Sequence, residues 1–304
     1  MVGSFMVDLV SRSPRLPKAG ETISGGPFSI GCGGKGSNQA IAAARLGARI
    51  EALLAIGTDS FGDLLVESFK KEGIDTRNVI RRQQPTGVAL IVVEDNSGEN
   101  QIVIAPGAND TLTTADFDLA SDSFKDTDCM LVQLEIPVSV VVHSIRWAHM
   151  NGLETILNPA PIKELPKELC PFVNYFIPNE HEASSFTGIK VDSIESAMMA
   201  ARRIVGMGCK NAIITLGSRG AILADNEICV HLEGYKVSVK DTTGAGDAFN
   251  GAMATAISLG MNKMQAVRFA NAAAALSVTK PGTSASMPTI AELEWFMSRV
   301  DQPQ

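Results

Sequence analysis

The sequence predicts an α/β protein. It has a mostly parallel central sheet flanked by helices on both faces and a small β-sheet lid, in a single domain over residues 1–304. Three observations predict it. From Cys129 onward, strand-like and helix-like stretches alternate regularly, which calls for a parallel sheet covered on both faces. Two alternating apolar segments, 87–93 and 101–104, are joined by the turn-rich Glu94-Asp95-Asn96-Ser97-Gly98-Glu99, a hairpin pattern outside that alternation. Two glycine-rich clusters, 31–36 and 244–246, each lead into a helical pattern.

Composition narrows the function. Net charge is 26 − 33 = −7, and no Lys/Arg-rich run stands out, so a nucleic-acid-binding surface is excluded. A small anion such as ATP remains admissible, because a local site can be positive on an acidic protein. The five cysteines (Cys32, Cys129, Cys170, Cys209, Cys229) are scattered and free of CxxC spacing, so they read as reduced cytoplasmic thiols rather than a disulfide framework or zinc site. There is no charged-then-apolar leader pattern, and no apolar run approaches the roughly 18 residues of a membrane span. The expectation is a cytoplasmic protein with neither membrane nor nucleic-acid partners.

Taken in order, Met1-Val2-Gly3-Ser4 reads as the end of a buried strand whose beginning is missing, since an ordinary strand takes about five residues. Asp8 follows where that strand runs out into a loop, and Pro14, Pro17 and Gly20 break what comes next. The second cluster, Gly31-Cys32-Gly33-Gly34-Lys35-Gly36-Ser37-Asn38, opens a helix over 38–46 that Gly47 ends. It lacks the spacing of a P-loop. It reads either as a backbone nest, with Lys35 and Asn38 donating to a polyhydroxy ligand, or as a flexible turn with a solvated lysine. Residues 49–57 read as a strand and 61–72 as a helix closed by Gly73. Residues 21–30 join the hairpin in a separate small sheet. The lid therefore spans about 9–30 and 86–105, with a face exposed for a homodimer contact.

The alternating half places strands at 129–134, 155–157, 175–177 and 211–216, and helices at 137–150 and 194–205. In parallel sheets, ligands bind beyond the strand C-termini. Glu135, Asn158, Asn179, Glu182 and Gly217 all fall at such ends. Asn179 and Glu182, three apart, read either as a helix capping box or as oxygen ligands that reach Mg²⁺ through water. A strand-like run, 235–239, precedes Asp241-Thr242-Thr243-Gly244-Ala245-Gly246-Asp247. Gly244, Ala245 and Gly246 sit at the mouth of a helix, where unpaired N–H groups and the helix dipole make an anion site. Asp247, in the first turn, either takes a proton from a hydroxyl attacking a bound phosphate or only complements the helix N-terminus. Helices follow at 264–277 and 290–299. Between them the loop 280–286 carries carbonyls and hydroxyls suited, with Asp241, to a monovalent cation. His143, His149, His181 and His231 lie far apart and read as non-catalytic.

Together, Gly33-Gly34-Lys35-Gly36-Ser37-Asn38, Asp241-Thr242-Thr243-Gly244-Ala245-Gly246-Asp247 and the N-x-x-E stretch Asn179-Glu180-His181-Glu182 resemble the ribokinase-like (PfkB) family of carbohydrate kinases over nearly the whole chain. The resemblance implies ATP-dependent phosphorylation of D-ribose at O5. Asp247 would be the base, and Gly244, Ala245 and Gly246 the anion hole. Asp8, Gly34, Lys35, Gly36, Ser37, Asn38, Glu135 and Asp247 would bind the sugar. ATP would meet Asn179, Thr215, Leu216, Gly217, Ser218, Arg219, Gly220, Gly246 and Asn271. Glu182 would act on Mg²⁺ through water. Asp241, Thr243, Ser277, Lys280, Gly282 and Ser286 would line an activating K⁺ site, mostly by backbone carbonyls. Two departures stand out. Met6 lies where many bacterial members have an Asn that touches the sugar, and the first strand is short. Alternative readings are a kinase for deoxyribose, fructose or adenosine, or a catalytically inactive sugar-binding protein.

Overall fold

A computed structural model describes residues 1–95, 97 and 99–300. The first half of the chain runs β1 (Met6–Ser13), β2 (Phe28–Gly33), α1 (Lys35–Arg45), β3 (Leu54–Gly57), α2 (Ser60–Lys71), β4 (Val79–Arg82), β5 (Gly87–Glu94), β6 (Asn100–Ala105) and α3 (Thr114–Ala120). The second half runs β7 (Cys129–Val132), α4 (Val138–Met150), β8 (Glu154–Leu157), β9 (Tyr175–Phe176), α5 (Glu180–Thr187), α6 (Ile194–Gly206), β10 (Asn211–Thr215), β11 (Ala221–Ala224), β12 (Cys229–Leu232), α7 (Ala245–Ser258), α8 (Lys263–Ser277) and α9 (Ile290–Val300).

The central sheet has six strands in the order β12-β11-β10-β9-β8-β7, parallel from β7 to β10 and antiparallel beyond. Its strands are apolar at successive positions because both faces are covered. Leu157, Phe176, Ala212 and Ile214 face one core with Val140, Ile145 and Ile204 of α4 and α6. Leu131, Ile156, Ile213 and Leu223 face the other, with Phe249, Met253 and Phe269 of α7 and α8. Val2 makes single parallel bridges to Leu53 on one side and Val132 on the other, and so ties the β3–β4 pair to the edge of this sheet. The short first strand is thus a one-residue link.

A separate four-stranded sheet, β2-β1-β5-β6, stands apart. Its base is buried with Phe5, Val7, Ile41 and Leu54, and its far end is open. Asn109 fastens that base: its Oδ1 accepts from the Phe5 N–H at 3.0 Å, and its Nδ2 donates to the Phe5 carbonyl at 2.7 Å.

Several local expectations change. Residues 6–13 form a full strand, because pairing with both β2 and β5 outweighs the polar, proline-flanked sequence; Asp8 therefore lies within a strand and the small sheet begins at Met6. The strand expected over 21–30 starts only at Phe28, and that over 49–57 only at Leu54. Residues 235–239 pair with no strand. The first helix begins at Lys35, not Asn38. In the hairpin turn, Asn96 and Gly98 lie outside the described residues. No helix among the described residues is long and apolar enough to cross a membrane.

Candidate active site

Two helix N-termini meet above the central sheet, those of α1 and α7. Their approach depends on Gly251. A Cβ there would lie 2.6 Å from the Gln39 carbonyl oxygen and 2.7 Å from the Ala42 Cβ, so only glycine admits α1 at this distance. One turn earlier on the same face of α7 stands Asp247, and one turn later Thr255, whose hydroxyl donates to the Ala43 carbonyl at 3.4 Å. The Asp247 carboxylate is buried and faces two amides of α1. Asn38 Nδ2 donates to one oxygen at 3.0 Å, and Gln39 Nε2 to the other at 2.9 Å.

The two helix ends differ in what they leave open. At α1 the chain itself satisfies the orphan donors. The Lys35 N–H donates to Glu135 Oε2 at 2.8 Å, Gly36 to the Ser4 hydroxyl at 3.3 Å, and Ser37 to the Ser4 carbonyl at 2.9 Å. The expected open nest is therefore closed. Glu135 already supplies the anion that this helix end favours, and the donors left to a ligand include the Lys35 ammonium. Gly36 is required here, since a Cβ would fall 2.3 Å from the Ser4 nitrogen. At α7, Gly244 takes φ 81° as the N-cap, and the Ala245 N–H reaches the Thr242 carbonyl at 3.3 Å. The Gly246 and Asp247 N–H groups have no backbone partner among the described residues. The helix end whose donors are left open is therefore that of α7 rather than α1.

Charge is concentrated around one lysine. Burial opposes a charge on Lys35, but Asp247, Glu135 and Glu182 outweigh it and hold its pKa above the ordinary value. Asp8 points from β1 into the same field. Burial first, then Glu135 and Asp247, push its pKa up to about 6, against the donation of the Thr283 hydroxyl at 3.2 Å. Glu182 is also pushed up, by burial, despite two donors. Those donors are the N–H and Nδ2 of Asn179, at 2.8 and 2.9 Å, while Asn179 Oδ1 accepts from the Glu182 N–H at 2.8 Å. The capping box is thus formed, and each carboxylate oxygen keeps a further lone pair for a water. Among the described residues, no three His, Cys, Asp or Glu side chains cluster as a metal cage.

The nucleotide candidates gather at the ends of β10 and β12. Thr215 bridges Asn179, and its N–H donates to the Pro178 carbonyl at 3.0 Å. Gly217, Ser218 and Arg219 are exposed, and Arg219 is ion-paired with Glu180. Leu216 is buried, and its N–H donates to the Gly220 carbonyl at 2.8 Å. Gly220 has φ 89° and faces the Leu232 carbonyl too closely for a Cβ. Asn271, buried on α8, donates to the Leu232 and Glu233 carbonyls at 3.3 and 3.4 Å.

The cation candidates come together only in part. Asp241 accepts from the Thr243 N–H at 2.9 Å and hydroxyl at 2.6 Å, and from the Gly282 N–H at 2.9 Å. Burial, which would raise its pKa, is outweighed by these donors, so it sits below the ordinary carboxylate range. The Ser277 and Ser286 hydroxyls donate to the Ala274 and Thr283 carbonyls at 2.8 and 2.7 Å. The Lys280 ammonium turns away to Glu292 at 2.6 Å.

This constellation joins a glycine-rich helix mouth with open N–H groups, an adjacent buried carboxylate and a cluster of charged side chains beside a separate sheet. Residues 1–290 match the pfkB family of carbohydrate kinases. The chain belongs to that family. It is 40% identical over 298 residues to a ribokinase of Haemophilus influenzae, covering 98% of this chain and 97% of the relative. It is 38% identical over 300 residues to a deoxyribokinase of Salmonella typhi, covering 98% of each. A structure of Arabidopsis thaliana ribokinase complexed with ribose and ATP superposes with a TM-score of 0.89 at 31% identity, over 97% of each chain.

Sequence reasoning missed Gln39, Gln133 and Thr283 around this site. Gln39 Nε2 also donates to Asn158 Oδ1 at 3.2 Å, and Gln39 Oε1 accepts from Gln133 Nε2 at 2.5 Å. The signal for Gln133 was present, a lone amide within the apolar run Met130 to Leu134. The raised pKa of Asp8 yields a stability prediction with a defined sign. The folded state binds this proton more tightly than the unfolded chain, so ionising Asp8 destabilises the fold as pH rises from about 4 to about 6. That loss persists at pH 7.5. Asp8→Asn is expected to raise the Tm by roughly 1–2 °C at pH 7.5, for about 1 kcal/mol in a chain of 304 residues. Little change is expected at pH 4, and thermal melts at the two pH values check it.

Proposed function

We propose that this family member phosphorylates D-ribose at O5 with ATP, giving ribose 5-phosphate and ADP. The observation that carries the reading is the buried Asp247 carboxylate, held by two amides beside the free N–H groups at the start of α7. From there Asp247 accepts the proton of the sugar 5-hydroxyl as that oxygen attacks the γ-phosphorus in line, and the bridging oxygen departs with ADP. The charge of the transferring group develops against Gly244, Ala245 and Gly246 and the α7 dipole. Asp8, Lys35, Asn38 and Glu135 meet the sugar hydroxyls beside the backbone of Gly34, Gly36 and Ser37. The buried Asn38 Oδ1 has no protein donor, which suits a hydroxyl group. ATP lies along Asn179, the 215–220 turn and Asn271. The ribokinase relatives, one of them complexed with ribose and ATP, support this reading.

Magnesium, held by waters on Glu182, would neutralise phosphate charge near Lys35. Potassium suits the oxygen donors of the 241–243 and 277–286 segments, where Asp241 stays anionic. The four-stranded sheet acts as a lid over the sugar, within a single domain. A second copy covers its apolar face, on which Phe28, Ile30, Leu90 and Val103 lie exposed. The free cysteines support a cytoplasmic location.

A second reading, 2-deoxyribose as substrate, is favoured by the Salmonella relative and by Met6. This apolar side chain lies on the same face of β1 as Asp8 and offers the sugar no hydrogen bond.

Coupled ADP release with Mg-ATP across ribose, deoxyribose, fructose and adenosine decides between them. Turnover is expected to be highest on ribose and to fall when Na⁺ replaces K⁺. Asp247→Asn is expected to lower kcat by about 10²–10⁴-fold, and a rate near wild type removes the base role. Sedimentation velocity is expected to give a dimer for the native chain and a monomer for Val103→Asp; a native monomer overturns the lid interface.

A further inference from the structure

We infer that Gln39 and Gln133 form a directed amide relay that positions the Asp247 carboxylate for phosphoryl transfer, an inference that rests on the reading above. Both glutamines are fully buried. An ionised carboxylate only accepts hydrogen bonds, so the contact of 2.9 Å between Gln39 and Asp247 fixes which end of the Gln39 amide faces it. The amino end points at Asp247, and the amide oxygen is thereby turned to Gln133, which donates at 2.5 Å. Asn158 holds Gln39 from the side: its Oδ1 shares the Gln39 amino group at 3.2 Å, and its own Nδ2 is tied to the Ile177 carbonyl at 2.9 Å. Each amide dipole in the chain runs the same way, and each polarises the next.

The arrangement is destabilising to the fold. Gln133 Oε1 and Asn38 Oδ1 are buried without a donor among the described residues, at the two ends of the amide set that aims at Asp247. Buried unpaired amide oxygens are unfavourable. Gly3 makes room for the outer one, since a Cβ at that position would fall 2.5 Å from Gln133 Oε1. A core serving packing alone would place apolar side chains at 39 and 133, among Ala40, Ile41, Leu131 and Leu134. What the amides provide is a carboxylate that cannot rotate, with its oxygens set before the sugar arrives. Neither glutamine needs to touch the substrate.

Gln39→Met keeps the length of the side chain and removes the donor. In the coupled assay kcat is expected to fall about 10–100-fold, while KM for sugar and ATP stays within about twofold. In an Asp247→Asn background the same substitution is expected to change the rate less than about twofold, because its effect passes through the carboxylate. Gln133→Met, one link away and out of contact with Asp247, is expected to show the same split at about 3–10-fold. It decides the question if Gln39→Met fails to fold, as read by its thermal melt. Wild-type kcat in the folded variants overturns the relay, as does a loss carried in KM or an equal loss in the Asp247→Asn background. A near-native rate for Asp247→Asn alone defeats the base assignment instead. A preference for another sugar leaves the comparison intact, run on that sugar.

Discussion

The packing of α1 against α7 is the constraint on which the site depends. It brings together residues 38–39 and 247, more than two hundred positions apart in sequence, and sets their side chains at hydrogen-bond distance. Gly251 controls it sterically, and Thr255 extends the contact by one turn. A methyl group at Gly251 would separate the helices by a fraction of an ångström to an ångström. Both amide contacts to Asp247, now at 3.0 and 2.9 Å, would then lengthen and weaken. The carboxylate would remain in place on α7 but lose its fixed orientation, which is how a change in helix packing would reach the candidate base.

The electrostatic layout follows from the same contact. Glu135, Glu182 and Asp247 surround Lys35, and Asp8 lies in the field of Glu135 and Asp247, an excess of negative charge where a nucleotide polyphosphate has to be accommodated. The structure separates the conflicting charges by position. Glu135 occupies the N-terminus of α1 and closes it, so the open N–H groups are those at the start of α7. Asp8 relieves part of the repulsion by holding its proton to about pH 6. A divalent cation near Glu182 would remove most of the rest, and the waters that carry it need only the lone pairs the capping box leaves over.

Much of this was legible in the sequence, and the exceptions have physical reasons. The strands β7, β8 and β10 are short apolar runs buried on both faces, the pattern that periodicity detects best. The α7 glycines were legible because a helix mouth needs both φ > 0 and close approach. The strand β1 was not, since its support comes from β2 and β5, which are distant in sequence, and its own residues Ser11, Arg12 and Ser13 read as loop. The closure of α1 was also hidden, because the donors at Gly36 and Ser37 are satisfied by Ser4, on a segment with no pattern of its own. Gln39 carries no signal of its own beside Asn38; only the proximity of α7 shows that it faces inward. The loop 280–286 does lie beside Asp241, as the sequence led one to expect, while the Lys280 side chain itself pairs with Glu292.

That loop is where the separate parts of the site become one mechanical unit. The Gly282 N–H holds Asp241 at the entrance to α7. The next residue, Thr283, donates to both Asp8 and the Cys32 carbonyl, at 3.2 and 3.1 Å, and so grips the small sheet. Arg45, at the end of α1, donates to the carbonyls of Ser284 and Met287 at 3.0 and 2.9 Å while ion-paired to Glu72. Five hydrogen bonds thus tie Asp241 ahead of α7, the Asp8 carboxyl, the small sheet and the C-terminal end of α1 to residues 282–287. An ion bound among the carbonyls of this loop needs no contact with substrate to affect the reaction. By fixing the loop such an ion would fix Asp241 and the first turn of α7, and with them the N–H groups left open there.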